Sequence, residues 1–102
     1  MKRRRPYRID YAPDAVEHLE ALTRHQASTV LDTVQRQLAW EPTVPTRNRG
    51  PMRPNPPAGY RLRIGDLRVL YDVDEGEHVV RVRAVGVKVH NRLSIGGQEF
   101  DL

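Results

Sequence analysis

The hydrophobic pattern opens with a short alternation over residues 5–11. Tyr7 and Ile9 fall on one side and Arg8 and Asp10 on the other, which predicts a strand. Ala12-Pro13-Asp14 follows. The proline suits the first turn of a helix, where its missing N–H has no partner to lose. Asp14 and Glu17 lie near the positive end of that helix's dipole. Ala15, Leu19 and Leu22, with Val16 alongside, make its apolar stripe. Over residues 26–40 the apolar positions Ala27, Val30, Leu31, Val34 and Leu38 recur at i, i+3, i+4, i+7 and i+11, the period of a second amphipathic helix. Only a few residues around Arg24 separate the two, so an antiparallel helix hairpin is predicted.

The pattern then stops. Residues 42–58 contain prolines 42, 45, 51, 54, 56 and 57, together with Arg47, Arg49 and Arg53, and no apolar period. This reads as a proline-stiffened loop of a length at which loops are often functional. Alternation resumes at Tyr60. Strands are predicted over residues 60–64, 67–74 and 77–87, joined by two-residue turns at Gly65-Asp66 and Glu75-Gly76. A basic segment, Lys88-Val89-His90-Asn91-Arg92, leads to a Gly96-Gly97 break and an acidic end. The expected organisation is a single α+β domain over residues 1–102, with a basic tail at 1–4, the proline-rich loop at 42–58 and a C-terminal tail at 93–102.

Two-residue turns fix the cross-strand register. Across the first hairpin Ile64 faces Leu67, Leu62 faces Val69 and Tyr60 faces Tyr71. Across the second, Val73 would face His78, Tyr71 would face Val80, Val69 would face Val82 and Leu67 would face Ala84. That face is apolar and is expected to receive the helices. On the opposite face Arg63, Arg68 and Arg83 would form one row, and Arg61, Leu70 and Arg81 another. Asp72 is the only acid expected beside them. Like charges placed opposite one another destabilise a sheet, so the arrangement points to an anion-binding surface.

Composition narrows the reading. The chain is 38% hydrophobic and 29% charged, with 17 Lys+Arg against 13 Asp+Glu and a net charge of +4, nearly all of the positive charge being arginine. Arginine's planar fork suits phosphate better than a lysine point charge does. There is no cysteine, which excludes disulfides, thiolate metal sites and cysteine nucleophiles. No apolar run reaches the roughly 18 residues of a membrane helix, and the basic N-terminus lacks the apolar stretch of a secretory signal. A cytoplasmic protein with no membrane partner is therefore expected. His18, His25 and His78 lack ligand spacing, so neither a metal nor a cofactor is indicated. Ser28, Thr29 and Ser94 belong to no His–acid arrangement, and Trp40 reads as a core or interface anchor.

The start Tyr7-Arg8-Ile9-Asp10-Tyr11-Ala12-Pro13-Asp14-Ala15 and, more specifically, the run Tyr60-Arg61-Leu62-Arg63-Ile64-Gly65-Asp66-Leu67-Arg68-Val69-Leu70-Tyr71-Asp72-Val73, followed by Val82-Arg83-Ala84-Val85-Gly86, resemble the RelE/ParE superfamily of toxins from bacterial type II toxin–antitoxin modules. The resemblance covers about residues 5–92. It implies a helix hairpin on one face of a small antiparallel sheet and a cognate antitoxin that neutralises the toxin in a hetero-oligomer. It also implies one of two activities. RelE-like members cut mRNA in the ribosomal A site by attack of the ribose 2′-OH on the adjacent phosphate, and ParE-like members inhibit DNA gyrase. The resemblance places the basic catalytic positions on Arg61, Arg63, Arg68 and Lys88. A C-terminal tyrosine of RelE-like toxins has no counterpart after Tyr71, which leaves His90 as the candidate acid–base group. Arg81, Arg83, Arg47, Arg49, Arg53 and Arg92 are candidate RNA contacts. A ribosome-dependent mRNA endonuclease is the first expectation. A gyrase inhibitor without chemistry, or a non-toxic basic RNA- or ribosome-binding module, is the alternative.

Overall fold

The computed structural model describes residues 5–52 and 58–101, with backbone alone at 100 and 101. The elements in chain order are β1 (Arg8–Tyr11), α1 (Pro13–Glu20), α2 (Arg24–Leu38), β2 (Arg49–Pro51), β3 (Tyr60–Ile64), β4 (Leu67–Asp74), β5 (Val79–Val89), β6 (Arg92–Ile95) and β7 (Gln98–Asp101). The fold is α+β, two helices on one face of a seven-stranded sheet. The strands from β2 to β7 form an antiparallel path in sequence order, and β1 lies parallel beside β5.

Both helices form for the local reasons the sequence suggests. Pro13 opens α1, and Thr23 and Gln26 close a capping box on α2. There the Gln26 N–H donates to Thr23 Oγ1 at 3.1 Å and the Thr23 N–H donates to Gln26 Oε1 at 3.0 Å. That box starts α2 at Arg24, two residues before the expected start at Gln26. Ala15, Val30, Val34 and Leu38 press onto Leu62, Leu67, Val69, Tyr71, Val80, Val82 and Val85, which line the inner face of the sheet. Leu31, expected in that stripe, is 45% exposed, and Thr33 is buried in the same helix.

The first hairpin matches its expected register at every pair, from Ile64↔Leu67 to Tyr60↔Tyr71. Gly65 takes φ 60° and Asp66 does not take a positive φ, the sign pattern of a type II′ turn. The second hairpin corrects the expectation. Its loop has four residues, not two, because Asp74 pairs with Val79. Asp74 Oδ1 accepts the Glu77 N–H at 2.9 Å, and His78 takes φ 61°. Tyr71 therefore faces Val82 and Val73 faces Val80. An irregularity at Leu70/Tyr71 leaves Arg83 without a partner in the register, after which Leu70 faces Ala84, Val69 faces Val85, Arg68 faces Gly86 and Leu67 faces Val87.

Two segments expected to be irregular carry strands. Residues 49–51 form β2 on the edge of β3. Arg92 and most of the segment expected as a tail at 93–102 form the β6–β7 hairpin, over residues 92–101. The turns before and within this hairpin are His90-Asn91, at φ 50° and 65°, and Gly96-Gly97, at φ 58° and 83°. Paired positive φ values of this kind are what a type I′ turn requires. The expected basic tail at 1–4 and Arg53 lie outside the described residues.

Candidate functional site

The outer face of the sheet is divided by the register into three parts. Its middle is apolar: Leu70 and Ala84 close against Ala58 and Leu93, with Met52 and Ile95 beside them. The expected rows of arginine are therefore interrupted. Arg68 lies beside Gly86 and not Arg83, and Leu70 lies beside Ala84 and not Arg81.

At one end stand the arginines of β1 and of the first half of β5, and each has a carboxylate. Arg8 donates to Asp10 through Nε and Nη2, both at 3.2 Å. Arg81 reaches Asp10 at 4.0 Å, and Arg83 reaches Asp72 at 3.6 Å. The other oxygen of Asp72 accepts the Gly59 N–H at 2.7 Å. Asp72 was expected as the only acid on this face. The parallel strand β1 adds Asp10, which a four-residue segment gives no means of pairing from sequence.

At the other end, around the β3–β4 turn, the pattern reverses. Arg61, Arg63, Arg68 and Lys88 share the outer face there. Arg63 pairs with Arg68 across the hairpin, and the Lys88 N–H donates to Asp66 O at 2.7 Å. No carboxylate forms an ion pair with any of the four among the described residues. Backbone and amide oxygens orient two of them instead. The Arg68 Nη1 donates to Gly65 O at 2.7 Å and to Leu67 O at 2.9 Å. Arg63 donates to Asn48 Oδ1 through Nε and Nη2, both at 3.3 Å, and to Arg47 O at 3.2 Å. Arg61 and Lys88 form no side-chain hydrogen bond or ion pair among the described residues. Arg68 is only 6% exposed. Its burial, with the like charges of Arg63 and Arg61 behind it, pulls its pKa below the ordinary arginine value.

The remaining candidates fall elsewhere. His90 is exposed at the tip of the β5–β6 turn, and its ring makes no hydrogen bond among the described residues. Arg92 pairs with Glu99 at 3.3 Å within the β6–β7 hairpin. Arg47 is exposed beside Arg63. Arg49 is 7% exposed, and its Nε donates to Val44 O at 2.7 Å, which makes it the anchor of the loop after α2. Asn48, which carries no motif that would single it out, supplies the oxygen that orients Arg63. No group of three or more His, Asp or Glu side chains that could hold a metal occurs among the described residues. None of the described helices is long and apolar enough to cross a membrane.

The RelBE2 toxin–antitoxin complex of Mycobacterium tuberculosis contains a chain similar to this one, with a TM-score of 0.71 and 24% identity, over 85% of this chain and 97% of that one. The archaeal RelE–RelB complex of Pyrococcus horikoshii contains another, with a TM-score of 0.56 and 19% identity, over 83% of this chain and 98% of that one. At these identities the likeness is one of fold. No curated protein sequence matches the chain. The sequence model of the ParE toxin of the type II toxin–antitoxin system parDE matches residues 9–88, and the chain belongs to that family.

Proposed function

We propose that this type II toxin arrests translation by ribosome-dependent cleavage of mRNA, and that the basic end of the outer face is where it meets the phosphodiester. The observation that carries this reading is the contrast in partners. Arg8, Arg81 and Arg83 are neutralised by Asp10 and Asp72, whereas Arg61, Arg63, Arg68 and Lys88 are gathered without an ion-paired acid among the described residues. Like charges opposite one another weaken a sheet, and Arg63 stands opposite Arg68.

In the proposed reaction the ribose 2′-OH attacks the adjacent phosphorus. The new P–O2′ bond forms as the P–O5′ bond breaks, and negative charge builds on the non-bridging oxygens. Donors already fixed in place stabilise such charge best. Arg63 and Arg68 are held by Asn48 and by the turn carbonyls, and Arg61 and Lys88 supply further cationic donors. His90 is the group with a side chain suited to taking the 2′ proton or supplying one to O5′. Arg47 stands beside Arg63 to extend the path of the RNA. Neither a metal nor a cofactor is invoked. A cognate antitoxin is the proposed protein partner and the cytoplasm the proposed setting.

Inhibition of DNA gyrase is the second reading. The ParE family match favours it, as does a His90 ring that no described neighbour orients. Expression of the chain alone in bacteria separates the two. The nuclease reading expects growth arrest with new mRNA 5′ ends mapped by primer extension. Arrest with intact mRNA and lost plasmid supercoiling moves the function to gyrase.

A further inference from the structure

We propose that the β6–β7 hairpin is a strap folded over the basic end, and that a polyanionic chain binds there in competition with it. The inference rests on reading Arg61, Arg63, Arg68 and Lys88 as an anion site. The family match ends at residue 88, and the hairpin begins at Arg92.

The strap is seated on the outer face at Gly86. A Cβ at that position would fall 2.5 Å from Ser94 O, 2.7 Å from Ile95 Cγ1 and 3.1 Å from Leu93 Cδ1, so only glycine lets β6 approach so closely. Gly86 is the cross-strand partner of Arg68, and Lys88 is the partner of Leu93. Closing β6 therefore covers the ground next to two of the four basic residues. Leu93 and Ile95 hold it down by packing on Leu70, Ala84 and Ala58. Beside Gly86, Arg68 turns to the carbonyls of its own turn.

The backbone pairing is short, and the Gly96 turn lies close to the His18 ring of α1. β6 pairs with β5 at three positions, Val87↔Ser94, Lys88↔Leu93 and Val89↔Arg92, and β7 pairs with β6 alone among the described residues. Lifting it at the His90-Asn91 turn frees Lys88 and the ground beside Arg68 together.

The apparent affinity for a ligand falls by the fraction of molecules in the competent state, so loosening and locking the strap should move binding in opposite directions. The probe is a short fluorescein-labelled oligouridine titrated with the full chain. Leu93→Ala with Ile95→Ala should tighten binding by roughly tenfold. Val87→Cys with Ser94→Cys, a cross-strand pair with Cα atoms about 4.5–5.5 Å apart, lies within the span a disulfide bridges, and the chain has no other cysteine. Oxidised, this variant should bind several-fold more weakly than wild type and recover on reduction. If the loosened variant fails to fold, the oxidised and reduced forms of the locked variant decide alone. Unchanged binding in the loosened and locked variants, with Arg61→Ala still weakening it, overturns the strap and leaves the anion site standing. Binding that Arg61→Ala leaves untouched overturns the anion site, and the strap with it.

Discussion

The two ends of the outer face surround the same residue type with opposite kinds of partner. Near β1, the arginines Arg8, Arg81 and Arg83 are exposed and paired to Asp10 and Asp72. Near the β3–β4 turn, Arg68 is buried beside Arg61 and Arg63, and its donors go to uncharged carbonyl oxygens. A paired arginine on the surface holds strands together weakly. Burial beside its own kind pulls the Arg68 pKa down, with Asp66 opposing that pull. Partner chemistry, and not the count of arginines, distinguishes the two ends of this sheet.

The largest effect is expected where the apolar middle keeps the ends apart. Leu70→Ala should lower stability by about 2–5 kcal/mol, since Leu70 is 1% exposed and joins Ala58, Ala84 and Leu93. Thermal or urea unfolding measures it, and a loss under about 1 kcal/mol would mean that the middle is not a second core.

On the inner face, Tyr71 donates its hydroxyl to Pro42 O at 2.6 Å, and burial pushes its pKa above the ordinary 10.0. The folded state therefore holds the phenol protonated while the unfolded chain ionises it. Its contribution is fully present below about pH 10 and is lost progressively as pH rises above that. Tyr71→Phe should cost about 0.5–1.5 kcal/mol at neutral pH and flatten part of the alkaline fall. Burial also raises Tyr11, which leaves the remainder. An alkaline profile unchanged in Tyr71→Phe would contradict this assignment.

Arg68→Met sharpens the contrast between the ends. Removing a buried charge that faces like charges should leave stability unchanged or raise it by up to about 1 kcal/mol, while oligouridine binding falls. A stability loss above 2 kcal/mol would make Arg68 a structural clamp on the turn. The smallest effect belongs to the paired end. Arg83→Ala should cost about 0–1 kcal/mol, less in high salt, and leave toxicity intact.

Much of this was legible in the chain because it is local. The i, i+3, i+4 stripe of α2 and the glycine in Gly65-Asp66 determine a helix and a register with little outside help. The second hairpin was not legible in the same way. Glu75-Gly76 imitates a two-residue turn, but the side chain of Asp74 captures the Glu77 N–H and His78 takes a left-handed backbone, which lengthens the loop by two residues. Every partner of β5 changes with it, and with them the arginine rows. The pairing of β1 with β5 is long-range, so Asp10 was invisible as a partner. The β6–β7 hairpin had a usable signal in Gly96-Gly97 and in the alternation of Leu93 and Ile95, and only its place over Gly86 needed the fold. His90 was singled out for its chemistry, while its position also answers to turn geometry, as the first residue of a left-handed pair with Asn91.

The most direct test of the account compares one residue from each end in the same assay. Arg61→Ala and Arg81→Ala are expressed separately beside the wild-type chain, with folding checked by circular dichroism and mRNA ends mapped by primer extension. The account predicts that the wild-type chain and Arg81→Ala arrest growth and cut mRNA, and that Arg61→Ala does neither while remaining folded. Cleavage retained by Arg61→Ala and lost in Arg81→Ala would contradict it.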